Sequence, residues 1–472
     1  MQTATSTEFK QNAHRALADA GLQRALARSG TSFIARRAAA VAALPEFEAL
    51  REEARAIKDH TLAHLDFYLE AFAAKVEAAG GTVHWCADAA EARATVLAIC
   101  QAAGARTVTK GKSMISEELG INAHLEQHGI APIETDLGEY ILQVRHETPS
   151  HIIAPAFHLN REDWEASFRA AHTDLPADRV FHERRDILTE ARSRLRAKFL
   201  AADVGITGAN FLVAETGSSV IVTNEGNGDL TQTLPRVHIA LASIEKVVPT
   251  LEDCMSLLRV LARSATGQDF SVYTTFSTGG RRPGDLDGPE AYHVVIVDNG
   301  RSGMLGSEFQ PMLRCIRCAA CMNHCPVYGA VGGHAYGWVY PGPIGAVLTP
   351  SYVGLENALD LPQASTLCGA CQVVCPVKIP LPELMRVLRE KSFRQGLRPW
   401  HERWSILLWR SAAERPWLYA WATRLAVRVL RRLAGKDRLL HRLPGLDGWT
   451  EGRDMPAPSS RTFRDLYRKR HS

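Results

Sequence analysis

The hydrophobic pattern changes period along the chain. From residue 8 to about 78, apolar positions recur at three- and four-residue steps. In ARAIKDHTLAHLDFYLEAFAAKVEAAGG, the residues Ile57, Leu62, Leu65, Leu69 and Phe72 share one helical face. Gly80-Gly81 marks the stop. Short runs with β character then alternate with helical stretches: TVHWC, helix to about Ala103, RTVTK, helix around Glu117 to Gly129, and APIETD. HIIAPA, FLVAETGSSVIVTN, KVVPTL, FSVYTTFS and AYHVVIVDN follow as strand candidates. This alternation from Lys58 to Asn299 predicts one α/β domain with a largely parallel sheet.

The segment GRSGMLGSEF breaks the pattern, and a cysteine-rich region follows. Helical periodicity returns after Lys378, in LPELMRVLREKSFRQG and RWSILLWRSAAERPWLYAWATRLAVRVLRRLAG. The organisation expected is a helical segment over 1–57, the α/β domain over 58–300, the cysteine region over 305–395 and a helical tail over 396–472.

Composition adds limits. With 46% hydrophobic and 22% charged residues, neither a disordered chain nor a membrane bundle is indicated. No stretch approaches the ~18 apolar residues of a spanning helix. The opening MQTATSTEFKQNAHRALADAG lacks the apolar core of a signal peptide, so cytoplasm is the expected compartment. The net charge of +4 hides an asymmetry: from Leu381 onward there are 21 Lys and Arg against 9 Asp and Glu. Six of the nine tryptophans also lie between Trp400 and Trp449. Arginine and tryptophan together suit docking on another subunit first, and an anionic membrane surface second. No nucleic-acid motif accompanies the charge, so no nucleic acid is expected.

Three of the ten cysteines, Cys86, Cys100 and Cys254, are scattered and read as small buried apolar residues. The other seven form two runs. RCIRCAACMNHCPVYG holds Cys315, Cys318, Cys321 and Cys325, and LCGACQVVCPVKIP holds Cys368, Cys371 and Cys375. Cys-x2-Cys-x2-Cys-x3-Cys-Pro is the spacing of bacterial four-iron ferredoxins. Three thiolates two residues apart on a curled loop reach three irons of one cube, while the fourth serves the other cluster. Zinc also accepts four thiolates, but it usually draws on two separated Cys-x2-Cys pairs.

Aligning the runs on Cys-Pro matches Cys375 with Cys325, Cys371 with Cys321 and Cys368 with Cys318. Ser365 then stands where Cys315 would be expected. Cross-ligation gives one cube Cys315, Cys318, Cys321 and Cys375, and the other Cys325, Cys368 and Cys371. Three completions of the second site stay open: a three-iron cluster, a labile four-iron cluster closed by Ser365 or solvent, or one closed by His334. A hydroxyl matches soft-thiolate chemistry poorly. Between the runs, Tyr336, Trp338 and Tyr340 are either cluster shielding or ordinary core aromatics.

Several stretches in order carry a wider resemblance: IKDHTLAHLDFYLEAF, KGKSMISEELGINAHLEQHGI, ETDLGEYILQ, PSHIIAPAFHLNR, AETGSSVIVTNEGNGDLTQTLPRVHIA, both cysteine runs and RDMPAPSSRTFRDLYRKR. With these, the chain resembles the lactate utilization protein B family, the iron–sulfur subunits of a three-protein bacterial L-lactate oxidation system. The resemblance implies a lactate-utilization α/β domain similar to the CoA-transferase and ribose-phosphate isomerase fold. An α-helical ferredoxin-like dicluster domain and a helical C-terminal tail would follow it. It implies two [4Fe-4S] clusters on seven cysteines, in the grouping just given. It also implies two partners, a cysteine-rich iron–sulfur protein and a second protein with the lactate-utilization domain.

Other residues invite chemistry. TKGKSM is no phosphate loop, because Arg106 stands where that motif needs glycine. Lys110 and Lys112 beside a helix start remain candidates for an anion, against the ordinary reading of solvated charge. ETGSSVIVTNEGNGD places Glu215 and Glu225 around a turn. By analogy with CoA-transferase-like folds, Glu215 is a candidate nucleophile, although a hairpin glutamate is the simpler reading. Asp136, Glu139, His151 and His158 could form a mixed site or merely line one.

The expected function is electron transfer within a complex oxidising L-lactate to pyruvate. The alternative is a group-transfer enzyme acting through Glu215, with clusters for structure or redox sensing; an iron–sulfur-linked regulator is a third reading. No Rossmann glycine fingerprint for flavin or nicotinamide is present.

Overall fold

A computed structural model describes residues 5–176, 178–434, 436–443, 450 and 452–471. Contacts divide the chain into two compact units, Met1–Ser392 and Phe393–Ser472. Among the described residues, ten strands lie in the first unit: β1 (Thr82–Cys86), β2 (Thr107–Lys110), β3 (Ala131–Glu134), β4 (Val204–Gly208), β5 (Phe211–Val213), β6 (Ser218–Thr223), β7 (Val237–Ser243), β8 (Val247–Val248), β9 (Tyr273–Ser277) and β10 (Ala291–Val297). Six form an all-parallel sheet in the order β1-β10-β7-β4-β2-β3, as the alternating pattern predicts. The central strands are apolar and buried on both faces, as parallel sheets require. One face packs on the helix Ala89–Ala102 through Ala92, Val96 and Cys100, and the other on Leu65–Ala78 through Leu69, Phe72 and Val76.

A second sheet, β8-β5-β6-β9, is mixed: β6 runs antiparallel to β5 and β9. Its apolar face joins a core that extends into the cysteine region. Phe47, Leu50, Ala54 and Leu62 from the helix Phe47–Ala63 lie in that core with Val213, Leu257, Met312, Met322, Leu348 and Met385. N-terminal helices, the second sheet and the cysteine loops therefore share one apolar interior.

Two expectations are corrected. The periodic run through Ile57 and Phe72 is not one helix, because the chain breaks at His64 (φ −129°, ψ 38°). Thr61 Oγ1 donates back to the Ile57 carbonyl at 2.7 Å, a bond that bends helices. HIIAPA is a turn, not a strand. The ring Nδ1 of His151 accepts the N–H of Ile153 and Ala154, and Ser150 is hydrogen-bonded to the Pro155 carbonyl.

The second unit contains the helices Trp400–Ala413, Pro416–Leu433 and Phe463–His471, none of which buries a residue. Trp400, Trp404, Trp409, Trp417 and Trp421 are all more than half exposed. Arg424 pairs with Asp465 at 2.5 Å. Trp449 lies outside the described residues. Among the described residues, no helix is long and apolar enough to cross a membrane.

Candidate metal centre

The two cysteine runs fold alike. Cys318 lies between two left-handed residues, Arg317 and Ala319, each with φ 60°. Its counterpart Cys368 lies between Leu367 (φ 54°) and Gly369 (φ 84°). Three of these four are not glycine, and holding them left-handed costs about 1 kcal/mol or more each. The surrounding packing sustains that cost because the kinks curl each run into a loop. A four-residue helix then carries the next cysteine: Ala320–Asn323 with Cys321, and Ala370–Val373 with Cys371.

Backbone donors point at the sulfurs. Arg317 N–H donates to Cys315 Sγ at 3.4 Å, Tyr328 N–H to Cys325 Sγ at 3.5 Å, and Ile379 N–H to Cys375 Sγ at 3.4 Å. Pro326 opens the helix Pro326–Val331, whose N-cap is Cys325 itself.

The thiols fall into two electrostatic neighbourhoods. Burial raises Cys318 far above the usual thiol range, and Cys375 and Cys315 raise it further. Cys321 is raised by burial and then by Cys318, Cys315 and Cys375. Cys375 is pushed up to about 11, by burial first and with Cys315 among its neighbours. Separately, Cys371 is pushed up to about 12 by burial, Cys325 and Cys368. Burial and Cys368 likewise raise Cys325. Cys368 is exposed, and the Ala370 N–H and the Thr366 hydroxyl lower its pKa. By electrostatic influence the first run divides three to one: Cys315, Cys318 and Cys321 act on one another and with Cys375, while Cys325 acts with Cys368 and Cys371. A weaker influence of Cys371 on Cys321 links the two sets.

This donor set fits iron–sulfur clusters. Bare thiols so placed stay protonated because neighbouring thiolates would repel in a dry interior; cluster iron removes that repulsion. A second observation agrees. The Tyr336 hydroxyl is buried without a partner among the described residues and lies within electrostatic reach of Cys325 and Cys321, where a cluster sulfur would accept its hydrogen bond.

The N-terminal helices hold these loops, a role that sequence reasoning missed. Arg37 donates to the Val374 carbonyl at 3.1 Å, and Arg51 to Val373 at 2.8 Å and Cys375 at 2.7 Å. Lys378 pairs with Glu48 and Glu52, and Arg314 with Asp59 at 2.5 Å. The i,i+3/i+4 spacing of Glu48, Arg51, Glu52 and Arg55 was visible but reads equally well as a solvated face.

A buried ionic chain ties the α/β part to the same loop. Glu118 receives both Arg301 Nη1 (2.9 Å) and Nη2 (2.7 Å), the Tyr340 hydroxyl (2.7 Å) and Asn299 Nδ2 (2.6 Å). Arg301 Nε also lies 3.0 Å from Glu245, which lies 3.5 Å from Arg317 Nη2. Arg317 in turn sits over the Tyr340 ring, 4.5 Å from its centroid. Burial alone would raise Glu245, but Arg301, Arg317 and Lys246 hold it at about 2.

The remaining sequence candidates do not form one site. Lys110 is buried and paired with Glu117 and Glu134, both at 2.7 Å, which commits its charge internally. Lys112, two residues on, is half-buried and forms no ion pair among the described residues. Glu215 is exposed at the hairpin between β5 and β6 and accepts the Leu251 N–H at 2.9 Å. Asp136 caps the helix Leu137–Arg145, while Glu139 is buried with Glu134. His151 is buried, pulled down to about 3, and hydrogen-bonded to Asn323 at 3.0 Å. His158 lies 3.0 Å from Glu147 and packs on His334, whose Nε2 is 2.8 Å from the Thr148 carbonyl. Ser365 Oγ accepts the Leu367 N–H at 3.1 Å. Trp338 packs edge-on against buried Tyr340, and Cys86, Cys100 and Cys254 are buried in apolar surroundings. Among the described residues, no three His, Cys, Asp or Glu side chains meet around a point that one metal ion could occupy.

Comparison with known proteins places these parts. Residues 69–297 match the LUD domain, 311–379 a 4Fe-4S dicluster domain, and 385–472 the C-terminal domain of lactate utilisation protein B. The chain is 45% identical to lactate utilization protein B of Shouchella clausii, covering 98% of this chain and 97% of that one. With the Bacillus pumilus protein of the same name it shares 44% over 98% and 97%, and with that of Lysinibacillus sphaericus 42% over 99% and 98%. The chain belongs to the lactate utilization protein B family. Its cysteine region is accordingly an iron–sulfur domain rather than a zinc site. A solved DUF162 family protein from Deinococcus radiodurans aligns at 16% identity over 49% of this chain and 98% of that one; its TM-score of 0.26 carries no argument.

Proposed function

We propose that this chain is the iron–sulfur electron-transfer subunit of an assembly oxidising L-lactate to pyruvate. The observation that carries the reading is the interleaving of the two thiol sets inside one core, in a member of a lactate-utilization family. Oxidising the hydroxyl carbon releases two electrons and two protons. Two [4Fe-4S] clusters, when bound, supply one-electron carriers in series.

Cys315, Cys318, Cys321 and Cys375 would hold the first cluster, and Cys325, Cys368 and Cys371 the second. Ser365 stands at the eighth position, so the second cluster would have three thiolate ligands from this chain and a weaker oxygen position in place of the fourth. Arg37 and Arg51 fix the carbonyls around Cys375, while the N–H donors to Cys315, Cys325 and Cys375 would favour the reduced state of a bound cluster. The exposed tryptophans and basic residues of the C-terminal unit support docking on partner subunits: a cysteine-rich iron–sulfur protein and a second lactate-utilization-domain protein. A cytoplasmic site of action, with contact at the inner membrane face as the other use of that surface, completes the proposal.

Anaerobic EPR of the cluster-loaded chain tests this. Dithionite should give reduced-cluster signals, and L-lactate with the partner proteins should give the same signals. Clusters that stay oxidised in the complete assembly with lactate would sink the reading.

A further inference from the structure

The parallel sheet has a switch point that the metal centre does not use. The chain leaves β2 towards β3 on one side, and leaves β4 towards β7 on the other. In open α/β sheets, the crevice beyond the carboxyl ends of such strands is where ligands bind. Here that crevice is a cavity of about 330 Å³. Gly111-Lys112-Ser113 after β2 and Gly208-Ala209-Asn210 at the carboxyl end of β4 line it. It reaches past Ser243 at the end of β7 to Lys246, Arg317 and Cys318 of the first cysteine run.

The charges lining it are unbalanced in an informative way. Lys246 is only 8% exposed, and its ammonium forms no ion pair or hydrogen bond among the described residues. Lys112 forms none either. Arg317 has its Nη1 buried without a partner, although Nη2 faces Glu245. Of the lining carboxylates, Asp136 is tied to the Gly138 and Glu139 N–H groups, and Glu225 lies near Lys112. Asn210 spends its carbonyl oxygen on the Val222 N–H, which leaves its amide to donate. Ile152, Ile153, Ile221 and Leu261 supply an apolar part of the same lining. Glu245 lies within electrostatic reach of Lys246 but is shared with Arg301 and Arg317, so burial leaves the Lys246 ammonium only partly compensated, and a bound anion relieves that cost.

We propose that this cavity binds a small 2-hydroxy or 2-oxo monocarboxylate, with Lys246, Lys112 and Arg317 holding the carboxylate and the isoleucine–leucine lining taking the short apolar end. The choice of acid rests on the lactate-oxidation reading; the inference of a small carboxylate rests on the cavity alone. Phosphate esters and dicarboxylates suit the apolar lining poorly. Cys318 lines the same cavity, which brings the bound acid beside the first thiol set. The site was partly visible in sequence as Lys112, but Lys246 and Arg317 sit in runs that read as a strand end and a cluster loop.

Equilibrium dialysis of the full cluster-loaded chain against radiolabelled L-lactate and pyruvate tests the proposal, with dithionite reduction of the clusters recorded on the same sample. The wild type should bind at least one acid. Lys246→Gln should weaken binding by about tenfold or more, and Lys112→Gln, at a half-buried position that tolerates change, by about threefold or more. Absorbance of the clusters and circular dichroism confirm that each variant is folded. No binding of either acid to a chain whose clusters reduce normally overturns the site and leaves electron transfer standing. So does inorganic phosphate binding where neither acid does, or equal binding by wild type and both variants. Acid binding that depends on Lys246, with clusters that cannot be reduced, supports the site and removes the electron-transfer reading.

Discussion

Ser365 stands to the second cysteine run as Cys315 stands to the first. Cys315 Sγ accepts the N–H of Arg317, two residues on, at 3.4 Å; Ser365 Oγ accepts the N–H of Leu367, two residues on, at 3.1 Å. The two loops therefore share this hydrogen bond and the left-handed residue that follows, Arg317 or Leu367, with oxygen in place of sulfur. A hydroxyl is a harder, less acidic donor than a thiol, so the same geometry gives a weaker bond to iron.

Replacing that oxygen by sulfur should complete the second site. Ser365→Cys is expected to raise retained iron after brief air exposure and to diminish any three-iron EPR signal, with the first cluster unchanged. Identical iron loss in wild type and variant would show that residue 365 does not face the cluster.

The crossing of the runs makes a prediction that simple sequence proximity would reverse. Cys375→Ala should remove the cluster held by Cys315, Cys318 and Cys321, although Cys375 is closer in sequence to Cys371. Cys325→Ala should instead remove the cluster of Cys368 and Cys371. Each variant should retain about half of the wild-type iron, and the two surviving EPR spectra should differ. Matching spectra from the two variants would refute the crossed arrangement.

Much of this was legible in sequence, unevenly. The seven cysteines announce themselves because metal ligation demands fixed spacing. The edge strands β1 and β3 and the strand β10 were visible as short β-rich runs bounded by turn residues. The central strands β4 and β7 were not. β4 reads VGITG, and its Gly205 looks like a loop signal; in the fold, a Cβ there would lie 1.8 Å from the Thr231 carbonyl oxygen, so close backbone approach demands glycine. β7 is VHIALAS, whose alanines carry no strand preference until both faces are buried. The cavity was hidden for a similar reason. Lys112, Lys246 and Arg317 are far apart in sequence and meet only where the sheet order reverses and the cysteine loop closes over it.

The Glu118–Arg301 pair should behave as a structural clamp between the α/β part and the cluster loop. Both side chains are fully buried, and Glu118 also receives Tyr340 and Asn299. Glu118→Gln leaves Arg301 with one carboxylate instead of two and should destabilise the chain by about 3–5 kcal/mol. Thermal unfolding followed by circular dichroism measures this, and cluster absorbance should be lost in the same transition. Survival of the clusters beyond the loss of α/β structure would show the two parts to be uncoupled.

Glu139 gives the last prediction, which concerns pH. Its carboxyl is buried beside that of Glu134, with which it can share a proton, and burial together with Glu134 raises its pKa well above the usual carboxylate value; Lys110 offsets this only in part. The folded chain therefore keeps a proton that the unfolded chain releases near pH ~4.3. Because the folded state binds more protons, stability falls as pH rises from there towards the raised pKa. Glu139→Gln removes the titrating group while keeping its shape. The variant should lose that slope and become more heat-stable than wild type at about pH 8, by about 1 kcal/mol or more, with little difference at about pH 4. A thermal-shift series across this range, at fixed salt, reads the effect directly. Parallel curves for the two proteins would mean that Glu139 is ionised in the fold and that Lys110 outweighs its burial.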